Sequence, residues 1–232
     1  MGVGVKVLLP YLLGKGKLVS DMLAGANMQQ PAMEITGKDD ALINLRNKLG
    51  SVVVLLGTRD TGKSELAYRL AEFLGRPTFA VSPQQKPPSW IKWLTLEQIF
   101  TEVPRKSTLI MDDLPAYLSN KDYNESLSRA VEKVIPMVRH EPTPPEFPIG
   151  EIHLIFASQS AAQADRYILD CDMAFFKPLG LLFEDMERPH IKRIYTQWVE
   201  PVFFGQSDKW IQRHAYMWSR TYRGLIAIKK VE

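Results

Sequence analysis

The feature that most constrains this chain is the octapeptide Gly57–Ser64, which directly follows a run of β-branched and aliphatic residues. It reads GTRDTGKS and fits the pattern G-x-x-x-x-G-K-[ST]. Glycines at these two positions permit the backbone conformations that point successive N–H groups at bound phosphates. Lys63 is placed to reach the β- and γ-phosphates, and the hydroxyl of Ser64 to ligate Mg²⁺. The pattern therefore predicts a site for magnesium-bound ATP.

The sequence around this loop favours that prediction over a glycine-rich turn that binds nothing. Residues 51–57 form an apolar run that is typical of a strand buried on both faces of a parallel sheet. A helix is predicted from Gly62 to about Leu74, and its amino end would add a positive dipole. The expected phosphate-binding residues are Gly57, Thr58, Arg59, Asp60, Thr61, Gly62, Lys63 and Ser64.

Elsewhere the chain alternates between apolar runs and helical patterns, which predicts an α/β fold with a mostly parallel central sheet and right-handed crossovers. Further strands are expected at 78–81, 107–112, 151–158 and 172–176, and further helices at 39–49, 95–103, 122–138 and 161–169. The tail, residues 215–231, alternates like a β-hairpin with its turn near Arg223-Gly224. We expect an N-terminal extension or arm over residues 1–38 and one domain over residues 39–232.

Composition excludes some classes of function. Cys171 is the single cysteine of the sequence, so no disulfide can form within the chain, and the four histidines lack metal-ligand spacing. No apolar run approaches the length of about 20 residues that spans a bilayer. The net charge of +3 permits a polyanionic partner without requiring one. A cytoplasmic protein is expected.

Two polar strand ends supply candidates for catalysis and metal binding. The strand ending at Met111 is followed by Asp112 and Asp113, and parallel strands bring their carboxyl ends to one edge of the sheet. Asp112 is expected to hold the water shell of Mg²⁺, and Asp113 to orient or deprotonate the attacking water. A turn or helix cap is the alternative for this pair.

The strand ending at Ala157 is followed by Ser158, Gln159 and Ser160. Gln159 is expected to hydrogen-bond the attacking water or the γ-phosphate. The alternative is a polar strand end that faces solvent.

The segment Gly150–Ser160 (GEIHLIFASQS), with Arg139 upstream, resembles the strand and glutamine motif of the FtsK–HerA superfamily of DNA-pumping ATPases. Over about residues 50–180 the motif order and compact length resemble the genome-packaging ATPases of membrane-containing icosahedral viruses. They are also similar to the assembly ATPases of filamentous phages. The resemblance implies a RecA-like P-loop NTPase core, a homo-oligomeric ring that is often hexameric, and translocation of double-stranded DNA. For a viral protein it further implies a capsid or membrane-vertex partner and a place in the host cytoplasm or virion.

The same resemblance implies an arginine finger donated to the ATP of a neighbouring subunit. Arg139 occupies the corresponding position before the glutamine strand, with Arg129 and Arg166 as rivals. A surface salt bridge is the alternative for each arginine. The sequence departs from the superfamily in having Asp-Asp instead of Asp-Glu and in a Pro-rich loop at 141–148.

DNA contacts would come from basic and aromatic side chains that face the pore of the ring. The candidates are Lys86, Trp90, Lys92 and Trp93, followed by Lys209, Trp210, Arg213, Trp218, Arg220, Arg223, Lys229 and Lys230. Anchoring of the tryptophan loop to the core, and strand alternation in the tail, are the alternatives. The sequence carries no motif for base-specific recognition, so any DNA binding should be independent of sequence.

Two other functions remain open. A P-loop kinase would need an acceptor pocket and usually an Arg-rich lid, and no compact lid of this kind is visible after Asp113. A nucleotide-dependent assembly ATPase, of the filament-extrusion or helicase-loader type, would switch partners without moving DNA.

Overall fold

The computed structural model describes residues 40–82, 87–112, 138, 150–159, 170–180 and 187–228. Its strands are β1 (Ser51–Leu56), β2 (Thr78–Val81), β3 (Lys92–Trp93), β4 (Thr108–Asp112), β5 (His153–Ser158), β6 (Met173–Phe176), β7 (His214–Ser219) and β8 (Arg223–Ala227). Its helices are α1 (Asp40–Asn47), α2 (Lys63–Leu74), α3 (Ile99–Glu102), α4 (Pro189–Ile194), α5 (Glu200–Phe203) and α6 (Asp208–Gln212). A π-helical turn, Tyr195–Val199, connects α4 to α5.

The strands form one sheet in the order β3-β2-β4-β5-β1-β6-β7-β8. Each pairing from β3 through to β6 is parallel, whereas β7 runs antiparallel to both β6 and β8. Strand β5 lies between β1 and β4 and pairs with both. The expected α/β fold with a mostly parallel sheet and a C-terminal hairpin is therefore confirmed.

The sheet is covered on both faces, which explains the uninterrupted apolar sequence of β1. All six residues of β1 are buried. Val53 and Leu55 pack in one core with α1 and α2, while Val52 and Val54 pack in the other. The second core also holds apolar side chains from α3, α4, the π-helical turn and α5. Burial on both faces favours β-branched residues in the central strands.

Most predicted elements appear with small shifts at their ends. Strand β2 has its predicted bounds, and α2 begins at Lys63 with Gly62 as its left-handed N-cap residue, φ 84°. The helix expected over 95–103 is confined to α3. The helices expected at 122–138 and 161–169, apart from Val138, and the arm over 1–38 lie outside the described residues. The division of the chain into that arm and one domain over 39–232 stays a prediction.

The turn of the C-terminal hairpin was placed wrongly. It spans residues 220–222, not Arg223-Gly224, because β7 ends at Ser219 and β8 already begins at Arg223. The backbone N–H of Ser219 donates to the carbonyl of Tyr222 at 2.8 Å, and the N–H of Tyr222 donates to Ser219 Oγ at 2.9 Å. A serine hydroxyl that bonds nearby backbone in this way closes a tight turn without glycine.

The short helices α4 to α6 had no counterpart in the sequence analysis. Helices of four to six residues are too short to display a 3.6-residue period. None of the helices in the described ranges has the length and apolar character needed to cross a membrane.

Candidate nucleotide-binding site

Two glycines shape the loop between β1 and α2, and a larger residue at either position would clash with a neighbouring segment of the chain. Gly57 has φ 153°, and a Cβ there would lie 2.4 Å from Cβ of Lys177. A Cβ on Gly62 would lie 2.7 Å from the carbonyl oxygen of Gln212. Asp60, between them, also has positive φ, 60°. The loop therefore curls tightly under close contact from two other parts of the chain.

Hydrogen bonds inside the loop hold this curl. The Nζ of Lys63 donates to the carbonyl of Thr58 at 2.7 Å, and Oγ1 of Thr61 donates to the same carbonyl at 2.8 Å. The amides of the first turn of α2 have no partner within the helix, as at any helix start. Their positive end and the Lys63 ammonium face the interior of one loop, an arrangement suited to phosphate.

The strongest evidence for a metal site is the pair Ser64 and Asp112. Ser64 Oγ, in the first turn of α2, donates to Oδ2 of Asp112, at the end of β4, at 2.6 Å. A hydroxyl and a carboxylate oxygen are the hard ligands that Mg²⁺ prefers, so the pair fits the predicted ion. The described residues contain no group of three or more His, Cys, Asp or Glu side chains arranged for a metal. An ion here would therefore also depend on phosphate and water oxygens.

The negative charge of Asp112 is felt by a neighbour on α2. Burial, followed by the charges of Asp112 and Glu65, raises the pKa of Tyr68 to about 12. Tyr68 therefore stays a neutral phenol beside the carboxylate at physiological pH.

Gln159 follows β5, the strand between the loop strand and the acidic strand. In register, Ser158 pairs with Leu56 of β1, and Ala157 pairs with Asp112 of β4. The N–H of Gly57 donates to the carbonyl of Ser158 at 3.2 Å. The backbone of half-buried Gln159 thus emerges at the sheet edge between the phosphate loop and Asp112.

Lys177 is a site residue that the sequence analysis missed. It follows β6, is completely buried, and donates from Nζ to the carbonyls of Ile211 at 2.9 Å and Gln212 at 3.0 Å. Burial, and then the nearby charge of Lys63, lower the pKa of Lys177 to about 7. A neutral amine still offers two N–H groups, which match these two carbonyls. The sequence feature that could have identified Lys177 is its position directly after an apolar strand.

Gln212 adds a second contact between the C-terminal region and the loop. Its Nε2 donates to the carbonyl of Asp60 at 3.2 Å. On the other side, the N–H of Thr58 donates to the carbonyl of Pro178 at 2.8 Å. The phosphate loop is therefore held by the end of β6 and by the end of α6.

Several predicted residues lie outside the described part of the chain. They are Asp113, the finger candidates Arg139, Arg129 and Arg166, and the basic residues Lys86, Lys229 and Lys230. Their roles stay predictions.

The described candidates for DNA contact fall into two groups. Trp90 and Trp93 are about half exposed, at 51% and 52%, so neither is an anchor fully buried in the core. Lys92, between them, forms an ion pair with Glu102. In the C-terminal group, the Arg223 guanidinium lies 4.1 Å from the ring centre of Trp218. That cation–π contact uses part of the basic surface within the protein itself.

Comparison with known proteins bears on the fold. No protein-family model matches the sequence, and no curated protein matches it significantly. Among solved structures, the pCW3 conjugation coupling protein TcpA, in its monomer form with ATPγS, is similar with a TM-score of 0.51 at 11% identity. The match covers 78% of this chain and 61% of that one, so this chain spans about three fifths of the coupling protein.

Two other similar structures have TM-scores below 0.5. The genome packaging NTPase B204 from Sulfolobus turreted icosahedral virus 2, in complex with AMPPCP, has a TM-score of 0.42 at 10% identity. That match covers 79% of this chain and 100% of the other chain. The RuvB Holliday junction branch migration motor of Thermotoga maritima has a TM-score of 0.41 at 15% identity, and the match covers 75% of this chain and 51% of the other chain. The likeness to the coupling protein shows the fold alone, an α/β core with a mostly parallel sheet, as the sequence predicts.

Proposed function

We propose that this chain is an ATP-hydrolysing motor that moves double-stranded DNA and works as a homo-oligomeric ring. The observation that carries the ATPase part is the convergence of the phosphate loop, the Ser64–Asp112 pair and Gln159 at one edge of the sheet. A triphosphate, an ion and an attacking water need donors, hard oxygens and a polar orienting group, and the presence of residues of all three kinds near this edge supports the proposal.

In this proposal each described side chain has a separate task. Loop amides and Lys63 bind the β- and γ-phosphates, while Ser64 and Asp112 hold Mg²⁺ directly or through its water shell. The ion, when bound, neutralises charge that develops on the transferred phosphoryl group. Gln159 orients the attacking water or senses the γ-phosphate.

Two further tasks fall to residues outside the described ranges. Asp113, next to Asp112 in the sequence, accepts the proton of the attacking water. Arg139 of a neighbouring subunit completes the site, because a cationic finger can raise the hydrolysis rate by roughly 10³-fold or more.

The DNA-moving part rests on the motif order described above and on the fold shared with a conjugation coupling protein. Exposed Trp90 and Trp93 offer aromatic faces for sequence-independent contact with DNA. A viral packaging role would place the ring at a capsid or membrane vertex, in the host cytoplasm or the virion.

The proposal is tested by measuring ATP hydrolysis with and without double-stranded DNA at fixed salt. We expect DNA to raise the rate and Lys63→Ala to abolish it. Lys48→Ala is the matched control, since Lys48 pairs with Asp172 near the opposite end of β6 from the loop. Gln159→Ala should retain ATP binding while hydrolysis falls roughly 10²-fold.

Each part of the proposal has its own contrary result. An ATP hydrolysis rate that DNA does not change would exclude the DNA motor and favour the assembly ATPase. Transfer of phosphate to a small acceptor, with no release to water, would favour the kinase. Equal rates of ATP hydrolysis in the parent and in Lys63→Ala would show that this site does not hydrolyse ATP.

The tryptophan surface can be tested separately. Trp90→Ala and Trp93→Ala should reduce stimulation by DNA and leave the DNA-free rate unchanged, since both side chains are exposed and distant in sequence from the loop. Leu49→Ala, at an exposed apolar residue that is not a candidate for DNA contact, is the control. Full stimulation in both variants would assign the DNA contacts to other residues.

A further inference from the structure

The carbonyl of Asp60, in the middle of the phosphate loop, is held by a side chain from a distant part of the sequence. Nε2 of Gln212 donates to this oxygen at 3.2 Å, although the two residues are 152 positions apart. Gln212 is the last residue of α6, and it is exposed. The contact therefore places a polar side chain of the C-terminal region directly on the backbone of the loop.

The geometry of the peptide bond turns this contact into an orientation of the next amide. A peptide unit is planar and trans, so its C=O and its N–H point in opposite directions. The carbonyl of Asp60 and the N–H of Thr61 belong to one such unit. Because the carbonyl points at Gln212, the N–H of Thr61 points away from Gln212, toward the interior of the loop that the Lys63 ammonium also faces.

The N–H of Thr61 is available to a ligand on that side. Thr61 is buried, and its Oγ1 donates to the carbonyl of Thr58. Within the ranges that the structure describes, its backbone N–H donates to no carbonyl or side chain. Buried N–H groups normally have a hydrogen-bond partner, and a phosphate oxygen would supply one here.

Asp60 holds a backbone conformation that needs support from its surroundings. Its φ of 60° lies in the left-handed region, which costs residues other than glycine roughly 1–2 kcal/mol. Such residues keep this conformation where neighbouring groups hold them in place. The hydrogen bond from Gln212 is a contact of this kind.

The backbone of Gln212 is itself anchored, as a residue that positions another must be. Its carbonyl and that of Ile211 accept hydrogen bonds from the buried Nζ of Lys177, at 3.0 and 2.9 Å. The carbonyl of Arg213, the next residue, accepts from the N–H of Ile228 at 2.6 Å. Gln212 is therefore fixed between the end of β6 and the residue that follows β8.

We propose that Gln212 is a positioning residue of the phosphate loop, which keeps the N–H of Thr61 turned toward the phosphates of the nucleotide. The inference rests on the proposed function, because it takes the loop to bind a nucleotide. Gln212 does not touch the phosphates in this arrangement and acts through the peptide unit between Asp60 and Thr61.

The deciding experiment measures the affinity of Gln212→Met for Mg·ADP by calorimetry. Methionine is similar in length to glutamine but has no N–H group, so the carbonyl of Asp60 loses its partner. We expect the affinity to fall roughly two- to tenfold, as for the loss of one hydrogen bond. The melting temperature of the nucleotide-free protein should change little, because Gln212 is exposed. Gln206→Met, the same exchange at an exposed residue before α6, is the matched control.

The amide of Thr61 provides a signal that a purely structural role of Gln212 would not change. In protein labelled with ¹⁵N-threonine, this signal is the one that is absent from Thr61→Ser. Mg·ADP should shift it downfield in the parent, because the N–H gains a charge-assisted hydrogen bond. At saturating Mg·ADP the shift should be smaller in Gln212→Met and equal to that of the parent in Gln206→Met.

Failure of this inference and failure of the proposed function give different results. If Gln212→Met binds Mg·ADP like the parent, or shifts the Thr61 amide as far, Gln212 does not position that amide. Equal losses of affinity in Gln212→Met and Gln206→Met, or a loss that accompanies a large drop in melting temperature, would also overturn the inference. If the parent binds Mg·ADP without a shift of the Thr61 amide, the inference fails and the proposed function stands. If the parent binds neither Mg·ADP nor Mg·ATP, the proposed function itself fails.

Discussion

The hydroxyl of Ser64 lies 2.6 Å from the carboxylate of Asp112, although 48 residues separate them in the sequence. One side chain is presented by the first turn of α2 and the other by the end of β4. Strand β5 lies between β4 and the strand that leads into α2, so the contact reaches across an intervening strand. The sheet edge therefore brings together groups that no local pattern could join.

This contact predicts how Asp112→Asn will behave. Asparagine can still accept the Ser64 hydrogen bond but loses the charge that would hold the water shell of Mg²⁺. Affinity for ATP in magnesium should fall about 10- to 100-fold, while affinity in EDTA should not. Titration of both conditions by fluorescence or calorimetry checks this, with Asp40→Asn on α1 as the control. Equal losses with and without magnesium would show that Asp112 has no role at the metal.

Gly62 and Gly205 allow backbone strain to be separated from contact with a neighbour. Both have positive φ, 84° and 75°, but only Gly62 lacks room for a Cβ. Gly205→Ala should cost about 1–2 kcal/mol of unfolding free energy and leave ATP binding intact. Gly62→Ala should cost more and also weaken ATP binding, because its Cβ would displace the Gln212 carbonyl. If Gly62→Ala and Gly205→Ala had equal effects on urea unfolding and on ATP binding, the close packing around Gly62 would be contradicted.

Lys177 predicts a pH dependence of nucleotide binding. Its pKa is lowered to about 7, so the amine is largely neutral above that pH. Phosphates bound near Lys63 would offset the positive charge that lowers this pKa, and the pKa should rise on binding. The protein should then take up protons near pH 7–8, and affinity should fall as pH rises through that range.

Calorimetry in buffers of different ionisation enthalpy measures this proton uptake. Lys177→Met should remove it, and the difference between parent and variant cancels the protons bound by the nucleotide itself. If Lys177→Met takes up as many protons as the parent, Lys177 does not titrate on binding.

His153 predicts part of the acid sensitivity of the fold. It is buried, its Nδ1 lies 2.6 Å from Oγ of Ser51, and burial, then the charge of Arg76, lower its pKa to about 4. The unfolded chain, with a histidine pKa of about 6.5, binds more protons in the range between these values. Stability should therefore decline as pH falls from about 6.5 to 4, by on the order of 3 kcal/mol from this group.

Urea unfolding at several pH values checks this slope. His153→Gln should flatten it, whereas His190→Gln, at an exposed histidine, should not. An unchanged slope in His153→Gln would mean that other groups account for the decline.

The phosphate loop and central strands could be predicted because their information is local. Eight consecutive residues specify the loop, and the apolar run of β1 reflects burial on both faces. Asp112 and Gln159 followed from one further fact, that the ends of parallel strands share an edge.

Lys177 and Gln212 could not be found in the same way. Their roles depend on β6 lying beside β1 and on α6 ending above the loop, which are contacts between distant segments. The helices α4 to α6 are too short to leave a periodic signal in the sequence. The predicted position of the hairpin turn is wrong because a serine side chain closes the turn, whereas the glycine lies two residues past its end, in β8.

The contacts of Lys177 and Gln212 with the phosphate loop determine when the loop can fold during synthesis. The octapeptide is synthesised before the residues that press on its two glycines, which come about 120 and 150 positions later. A nascent chain that has not yet reached Gln212 therefore lacks the contacts that shape its phosphate loop. Competence to bind nucleotide should therefore arise only after Gln212 has been synthesised, when strands β1 to β6 are already present.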